Sequence, residues 1–491
     1  MSASSPSSRS LGWITWSSLG LGAVGLGQFV LLAVLARELR DKPEAFGVVT
    51  ATLIVVGIGR VIHSSIGPAL VQREDLRTEH EGTAFALGVL SAIAMMALLW
   101  ILAPAVAIFF RDDELTDVMR VMALLFACQA PGLVPEALLQ REMRLRELGL
   151  AETAGVIVGY LPLGIGCAVA GWGVWALVAA ILGQALVKSV VFVWLRPHAR
   201  RWWPEPKAAR EIVVYSGGVA SAGLCNYAAS QGDNVVVGRW MLTGALGIYG
   251  RAYQLMAMPA MFLGEVVDRI VFPLLSRVQD DKDQLRVAYS RGVSLIASVM
   301  TPAAATGIAL APEIVLVVLG DGWDEVVVPF QVLMSGLVFR TGYKISDMLA
   351  RATGTVYARA WRQAIFAGLI FAGAFVGKEW GVTGVACGVV SALTANYLMM
   401  AWLSIATTGL LWRRFFGLHL RGLSFGVLFG ALAHGAAETM RAESMPAWLV
   451  LCFGALAACT GFLVLVRAAP SRVLGGDGVW LVRTLLGRPA N

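Results

Sequence analysis

Runs of about twenty apolar residues recur from one end of this chain to the other, and no other feature restricts its fold as much. A helix needs about 20 such residues to cross a hydrocarbon core of about 30 Å. Marking the runs gives fourteen expected spans. The first six lie near residues 12–36, 45–70, 83–110, 118–139, 150–170 and 173–195. The next six lie near 212–238, 246–275, 290–319, 326–350, 359–377 and 381–408, and two more near 417–437 and 446–467. The chain is 57% hydrophobic and 14% charged, against roughly 25% charged in soluble domains. That leaves too little charge to cover a water-facing surface. The expected fold is an all-α integral membrane protein of about fourteen transmembrane helices.

The N-terminal MSASSPSSRS is polar, and the apolar run Trp13–Leu39 is too long for a signal h-region and lacks a clear cleavage site. It reads as the first span. With the N-terminus inside, the inner segments collect 25 of the 39 Lys and Arg residues, the outer segments 8, and the spans the remaining 6. A missed or extra span would scramble that alternation, so the positive-inside bias supports fourteen spans with both termini cytoplasmic. It also accounts for the net charge of +7, with no need to invoke nucleic acid as a partner.

The chain repeats itself. LAPAVAIFFRDDELTD from Leu102 resembles LAPEIVLVVLGDGWDE from Leu310, and WGVWALVAA from Trp172 resembles WGVTGVACG from Trp380, both at an offset of 208. Pro68 begins PALVQR, which pairs with PLLSR from Pro273 at 205. Duplication then gives a six-helix lobe over 1–205 and another over 206–410. Helices 13 and 14 follow over 411–468 and a cytoplasmic tail over 469–491. An even number of spans per copy predicts two pseudo-symmetric lobes of like orientation around a central cavity.

Charges inside the spans are the candidate functional groups, because each costs at least ~2.5–3.5 kcal/mol at bilayer depth unless it faces water, a partner or a ligand. The stretch Ser230–Asp283 is richest in them. Arg251 and Arg269 are eighteen positions apart, five whole turns, so they share a helix face with Gln254 and Glu265 nearby. Arg340, Lys344 and Asp347 fall on another face, where Lys344 and Asp347 are placed to pair. Arg60 sits in mid-span with His63 one turn on, and Asn226, Ser230 and Asp233 form a polar face at i, i+4, i+7. Each stripe also has a structural reading, as a salt-bridge seam, a snorkelling end or an interhelical bridge. Lys188 reads as structural. The predicted substrate-binding set is Arg60, Arg251, Arg340, Lys344 and Asn226, and the predicted ion-coupling pair is Asp233 and Glu265. Arg in slight excess suits an anionic ligand such as a pyrophosphate, because its fork is bidentate and always charged.

Other chemistry is not suggested. The six cysteines lie in apolar runs without a CxxC pair and read as buried small residues. No Walker loop, HExxH or nucleophile elbow occurs, and no cofactor is expected. No outer loop exceeds roughly a dozen residues, which argues against a membrane glycosyltransferase or ligase and for a protein that is not an enzyme.

Several motifs stand in one order: PALVQRED at Pro68–Asp75, ALLQREMR at Ala137–Arg144, GDNVVVGRWM at Gly232–Met241, LGIYGRAYQLMAMP at Leu246–Pro259, VFPLLSRVQDD at Val271–Asp281 and GDGW at Gly320–Trp323. With them the chain resembles, over about Gly47–Thr408, the Wzx-type polysaccharide-unit flippases of the multidrug/oligosaccharidyl-lipid/polysaccharide (MOP) exporter superfamily. The resemblance implies two six-helix lobes plus two helices, and movement of an undecaprenyl-diphosphate-linked glycan between leaflets by alternating access. It implies H+ or Na+ as coupling ion, membrane lipids as surroundings, and polysaccharide polymerase or assembly machinery as partners. Where many members carry an acid before PALVQRED, this chain has His63. A multidrug or organic-cation antiporter of the same superfamily and a peptidoglycan-precursor flippase are the alternatives, with a membrane glycosyltransferase behind them.

Overall fold

The computed structural model describes the backbone of residues 25, 27–39, 42–73 and 75–468. It describes the side chains of the same residues except 262–274, 276, 277, 356, 462, 463, 465, 466 and 468. The described residues hold helices and turns and no strand. Helix α1 covers 27–38, and the part of the first expected span before it lies outside the described residues. There follow α2 (Pro43–Gln72), α3 (Thr78–Phe110), α4 (Glu114–Arg141), α5 (Leu145–Val169), α6 (Val174–Leu195) and α7 (Pro206–Trp240). Then come α8 (Leu242–Arg277), α9 (Lys282–Ala309), α10 (Asp324–Ala352), α11 (Val356–Gly377), α12 (Gly381–Thr408), α13 (Trp412–Ala442) and α14 (Ala447–Ala468). A short helix, Ala311–Leu319, prolongs α9. The second to fourteenth expected spans fall on α2 to α14 in order, the ninth continuing into Ala311–Leu319. Among the described residues ten helical stretches are long and apolar enough to cross a membrane, one of which, Tyr357–Thr408, contains both α11 and α12.

The contacts divide the chain into two compact units, Met1–Gly247 and Ile248–Asn491. The sequence placed a boundary at 205/206. The difference is essentially one helix: α7 packs on α2 and α3, so its contacts are made with the first unit.

In the first unit α2 and α4 are the inner helices, while α3 turns most of its surface outward. Ile101 and Ile108 on α3 are 75% exposed, as a lipid-facing surface requires. Helices meet through small residues, as bilayer interfaces favour. A Cβ at Gly159 of α5 would overlap the carbonyl of Gly183 of α6, and one at Gly47 of α2 the carbonyl of Thr243. The connections sort to two ends. At one, Arg73 pairs with Glu211 at 2.8 Å and Arg196 with Glu142 at 2.7 Å. At the other, Thr243 donates to Asp112 at 2.8 Å. These are the two sets of loops that the charge count separated.

The second unit keeps the same devices. Gly373 and Gly377 of α11 meet Gly388 and Gly384 of α12 backbone to backbone, as α5 meets α6. The internal repeat is visible in the backbone too. Gly173 (φ 59°) and Gly381 (φ 72°) each follow a Trp and set the start of a helix, and Arg111 (φ 60°) and Gly320 (φ 92°) each follow a helix end. The copies differ at LAP. Pro104 lies inside the continuous α3, whereas Leu310 ends α9 and Pro312 opens a new helix. Asp281 caps α9, its carboxylate accepting from the backbone N–H groups of Asp283 and Gln284 at 3.0 Å each. All six cysteines are unpaired, and Cys225, Cys387, Cys452 and Cys459 are exposed on helix faces, contrary to the buried placement expected.

Candidate functional site

The helical segments of α2 meet at Ser65, between Pro43–Ser64 and Ile66–Gln72. Pro68 supplies no N–H to the turn before it, which is where a helix is free to bend. Ser65 donates its hydroxyl to the carbonyl of Ile62 at 2.6 Å. On the inner side of this bend lies a cavity of about 740 Å³, walled by α2, α4, α6 and α7 of the first unit. Its polar lining includes Arg60, His63 and Ser64 from α2, Gln129, Glu136 and Gln140 from α4, Lys188 and Ser189 from α6, and Tyr227 and Gln231 from α7.

Glycines bring these groups together. Gly57 has no side chain, and the phenol of Tyr227 occupies that space to donate to the carbonyl of Leu53 at 3.0 Å. Gly132 makes room for Ser189. Arg60 is exposed to the cavity, and among the described residues no carboxylate lies within ion-pair distance of it. His63 is buried, with Nδ1 2.7 Å from Ser91 Oγ and its ring edge-on to Phe126. Ser91 donates its own hydrogen to the carbonyl of Gly88 at 2.9 Å, so Nδ1 of His63 is the donor and Nε2 carries the lone pair. Lys188 is held by two carboxylates, Glu152 of α5 at 2.5 Å and Glu136 at 3.3 Å. Three residues after Glu152 the helix widens into a π segment, Gly155–Tyr160, which packs against α6.

The second unit holds a different cluster. The guanidinium of Arg340 on α10 lies 4.7 Å over the ring of Tyr253 on α8 and donates to its hydroxyl. Tyr253 stands beside the buried Tyr249, ring centroids 6.0 Å apart. Asp347 pairs with Arg351 at 3.2 Å and with Arg359 of α11, in place of the expected pair with Lys344. Lys344 and Arg251 are half-buried on α10 and α8.

Of the predicted residues, then, Arg60 lines the cavity of the first unit, and Arg251, Arg340 and Lys344 belong to the second. Asn226 is exposed and does not line the cavity. Asp233 is buried, its carboxylate accepting from the N–H of Asn234 at 2.9 Å. The side chain of Glu265 lies outside the described residues. Sequence reasoning missed Glu136 and Glu152, which sit near span ends, and it read Lys188 as structural. The signal was there: Gln129, Gly132, Glu136 and Gln140 recur along one face of α4. Two motifs that carried the resemblance act at a helix end instead. Arg141 of ALLQREMR donates to the carbonyls of Leu70 and Val71 at 3.1 Å each and to that of Arg73, closing the end of α2 in PALVQRED. Beyond it, burial works against ionisation of Glu142, but hydrogen bonds from Arg196 and Arg144 hold its carboxyl below the usual range.

Comparisons with known proteins identify the fold and the family. The structure resembles that of a lipid II flippase, MurJ, in an inward closed conformation, with a TM-score of 0.69 over 91% of this chain and 99% of that one, at 12% identity. The molecule is therefore a multi-pass helical membrane protein that shares the fold of that structure. The lipopolysaccharide biosynthesis protein WzxC of Escherichia coli K12 is 24% identical over 403 residues, 79% of this chain and 80% of its own. The teichuronic acid biosynthesis protein TuaB of Bacillus subtilis 168 is 23% identical over 468 residues, 93% and 95% of the two chains. A family model described as "Polysaccharide biosynthesis protein" matches residues 34–328, and the chain belongs to that family.

Proposed function

We propose that this protein moves a polyprenyl-diphosphate-linked oligosaccharide repeat unit across the bacterial cytoplasmic membrane for assembly of an exopolysaccharide, capsule or O-antigen. The observation that carries the reading is Arg60: a guanidinium presented to a cavity inside a membrane protein, without a carboxylate on it among the described residues. Such a group persists in a bilayer when an anion of the cargo offsets its cost, and a diphosphate oxygen pair matches its fork. The amide and hydroxyl groups around it suit sugar hydroxyls. WzxC and TuaB, named for lipopolysaccharide and teichuronic acid biosynthesis, support a carbohydrate pathway. Within the second unit Arg251, Arg340 and Lys344 are proposed as anion ligands, and Asp233 and Glu265 as groups that respond to a coupling cation, H+ or Na+. Both termini are proposed to lie in the cytoplasm, and a polymerase or assembly complex is proposed to receive the product. Movement, not bond chemistry, is the task in this reading.

The test is genetic and chemical together. Cells lacking the gene should accumulate lipid-linked repeat units while losing surface polymer, and a wild-type copy should reverse both. Normal polymer with no accumulated intermediate would exclude the proposal. Loss of viability would point to a peptidoglycan precursor as cargo.

A further inference from the structure

We propose that Lys188 is a second anion ligand of the first-unit cavity, held in reserve by Glu136 and Glu152, and that anion binding there draws a proton onto Glu136. This rests on the reading of the cavity as an anion site. Lys188 carries one positive charge and meets two carboxylates, at 2.5 Å and 3.3 Å. One carboxylate is therefore in excess, and the side chains are a quarter to a third exposed, so water reaches them. Glu136 lines the cavity and makes the longer contact, whereas Glu152 makes the shorter one and does not line it.

The charged and titratable groups facing this space are Arg60 and His63 from α2, Glu136 from α4, Lys188 from α6 and Tyr227 from α7, with Glu152 of α5 behind Lys188. A diphosphate drawn to Arg60 arrives on the same wall-to-wall space as Glu136. Two anions beside one ammonium repel unless one is neutralised. Protonation of Glu136 removes the repulsion and frees part of Lys188 for the ligand. By linkage the effects are mutual: an anion raises proton occupancy, and a proton raises anion affinity. The proton stays on a Glu136 carboxyl oxygen and no bond of the ligand breaks. Anion and proton then load together on this unit.

The experiment is calorimetric titration of the purified full-length protein in nanodiscs, with inorganic pyrophosphate and with undecaprenyl diphosphate as probes. Titrations between pH 5.5 and 8 in two buffers of different ionisation enthalpy count the protons exchanged. The probes titrate in this range themselves, with a phosphate pKa of about 6, so the readout is the difference in proton count between wild type and Glu136→Gln. The wild type should take up a fraction of a proton more per ligand than Glu136→Gln, and that excess should rise toward one. Glu136→Gln should bind tightly at every pH, and Lys188→Gln should weaken binding at every pH. Binding with equal proton counts in wild type and Glu136→Gln would overturn this proposal and leave the anion site standing. So would a wild-type excess found against His63→Gln and not against Glu136→Gln. No binding by the wild type, or undiminished binding by Arg60→Ala, would overturn the anion site itself and this inference with it. If the probes differ, with only undecaprenyl diphosphate showing linked proton uptake, the proposal holds for the lipid headgroup and not for the free ion.

Discussion

Arg340 and Tyr253 form one unit: the guanidinium lies 4.7 Å over the ring centroid and also donates to the hydroxyl. Both interactions fix the guanidinium against one ring, so the orientation of its fork depends on Tyr253.

This yields a graded expectation. A hydrogen bond to a charged group is worth about 1.5–3 kcal/mol, and a cation–π contact about 0.5–2 kcal/mol. Tyr253→Phe keeps the ring and should lower polymer output partially, while Tyr253→Ala should lower it further with the protein still inserted. Arg340→Lys keeps charge but loses the fork and should resemble Tyr253→Ala. Polymer yield in a deletion strain carrying each variant is the readout.

Glu313 and Arg441 make the clearest structural pair of the second unit, with two parallel contacts of 2.8 Å each. Glu313 is 6% exposed, so removing its partner leaves a buried carboxylate unsatisfied, at a cost of about 1–3 kcal/mol. Arg441→Ala should lower the thermal midpoint of the purified protein, with Glu313→Gln, Arg441→Ala together costing less than the sum of the two single changes. Additive losses would show that the pair is not coupled.

Much of the fold was legible because a bilayer forces its rules on a sequence. Span length and the WG repeat follow from one-dimensional spacing and reappear, in the succession of helices and in the paired glycines Gly173 and Gly381, whereas the two LAP copies differ, Pro104 lying inside α3 and Pro312 opening a new helix. The site was legible only in part. Arg60 stood out because a mid-span charge is costly. Glu136, Glu152 and Lys188 did not, because each lies close enough to a span end to be read as snorkelling. Only the packing of α4, α5 and α6 turns them toward one another. Arg141 could not be read either: its acceptors are the last carbonyls of α2, about seventy residues away in the chain, and a backbone acceptor leaves no trace in residue type.

His198 supplies a pH dependence outside the spans. Its ring packs on Phe85 with centroids 5.4 Å apart, and burial first, then the charges of Arg200 and Arg196, push its pKa from 6.5 to about 4. The folded value lies below the unfolded one, so as pH falls through 6.5 the unfolded chain takes the proton and the folded one does not. Stability from this group is indifferent above about pH 6.5 and declines between 6.5 and 4. Thermal midpoints of the wild type should fall across that window, and His198→Phe should flatten the fall. Equal slopes for the two proteins would contradict this assignment.

The most direct measurement is flipping in proteoliposomes of a fluorescent oligosaccharide linked to undecaprenyl diphosphate, comparing wild type with Arg60→Ala and Arg60→Lys. A charge-assisted hydrogen bond of about 1.5–3 kcal/mol corresponds to roughly tenfold to hundredfold. Arg60→Ala should lose that much flipping while remaining inserted and folded, with Arg60→Lys in between. Flipping by Arg60→Ala at the wild-type rate would contradict the account.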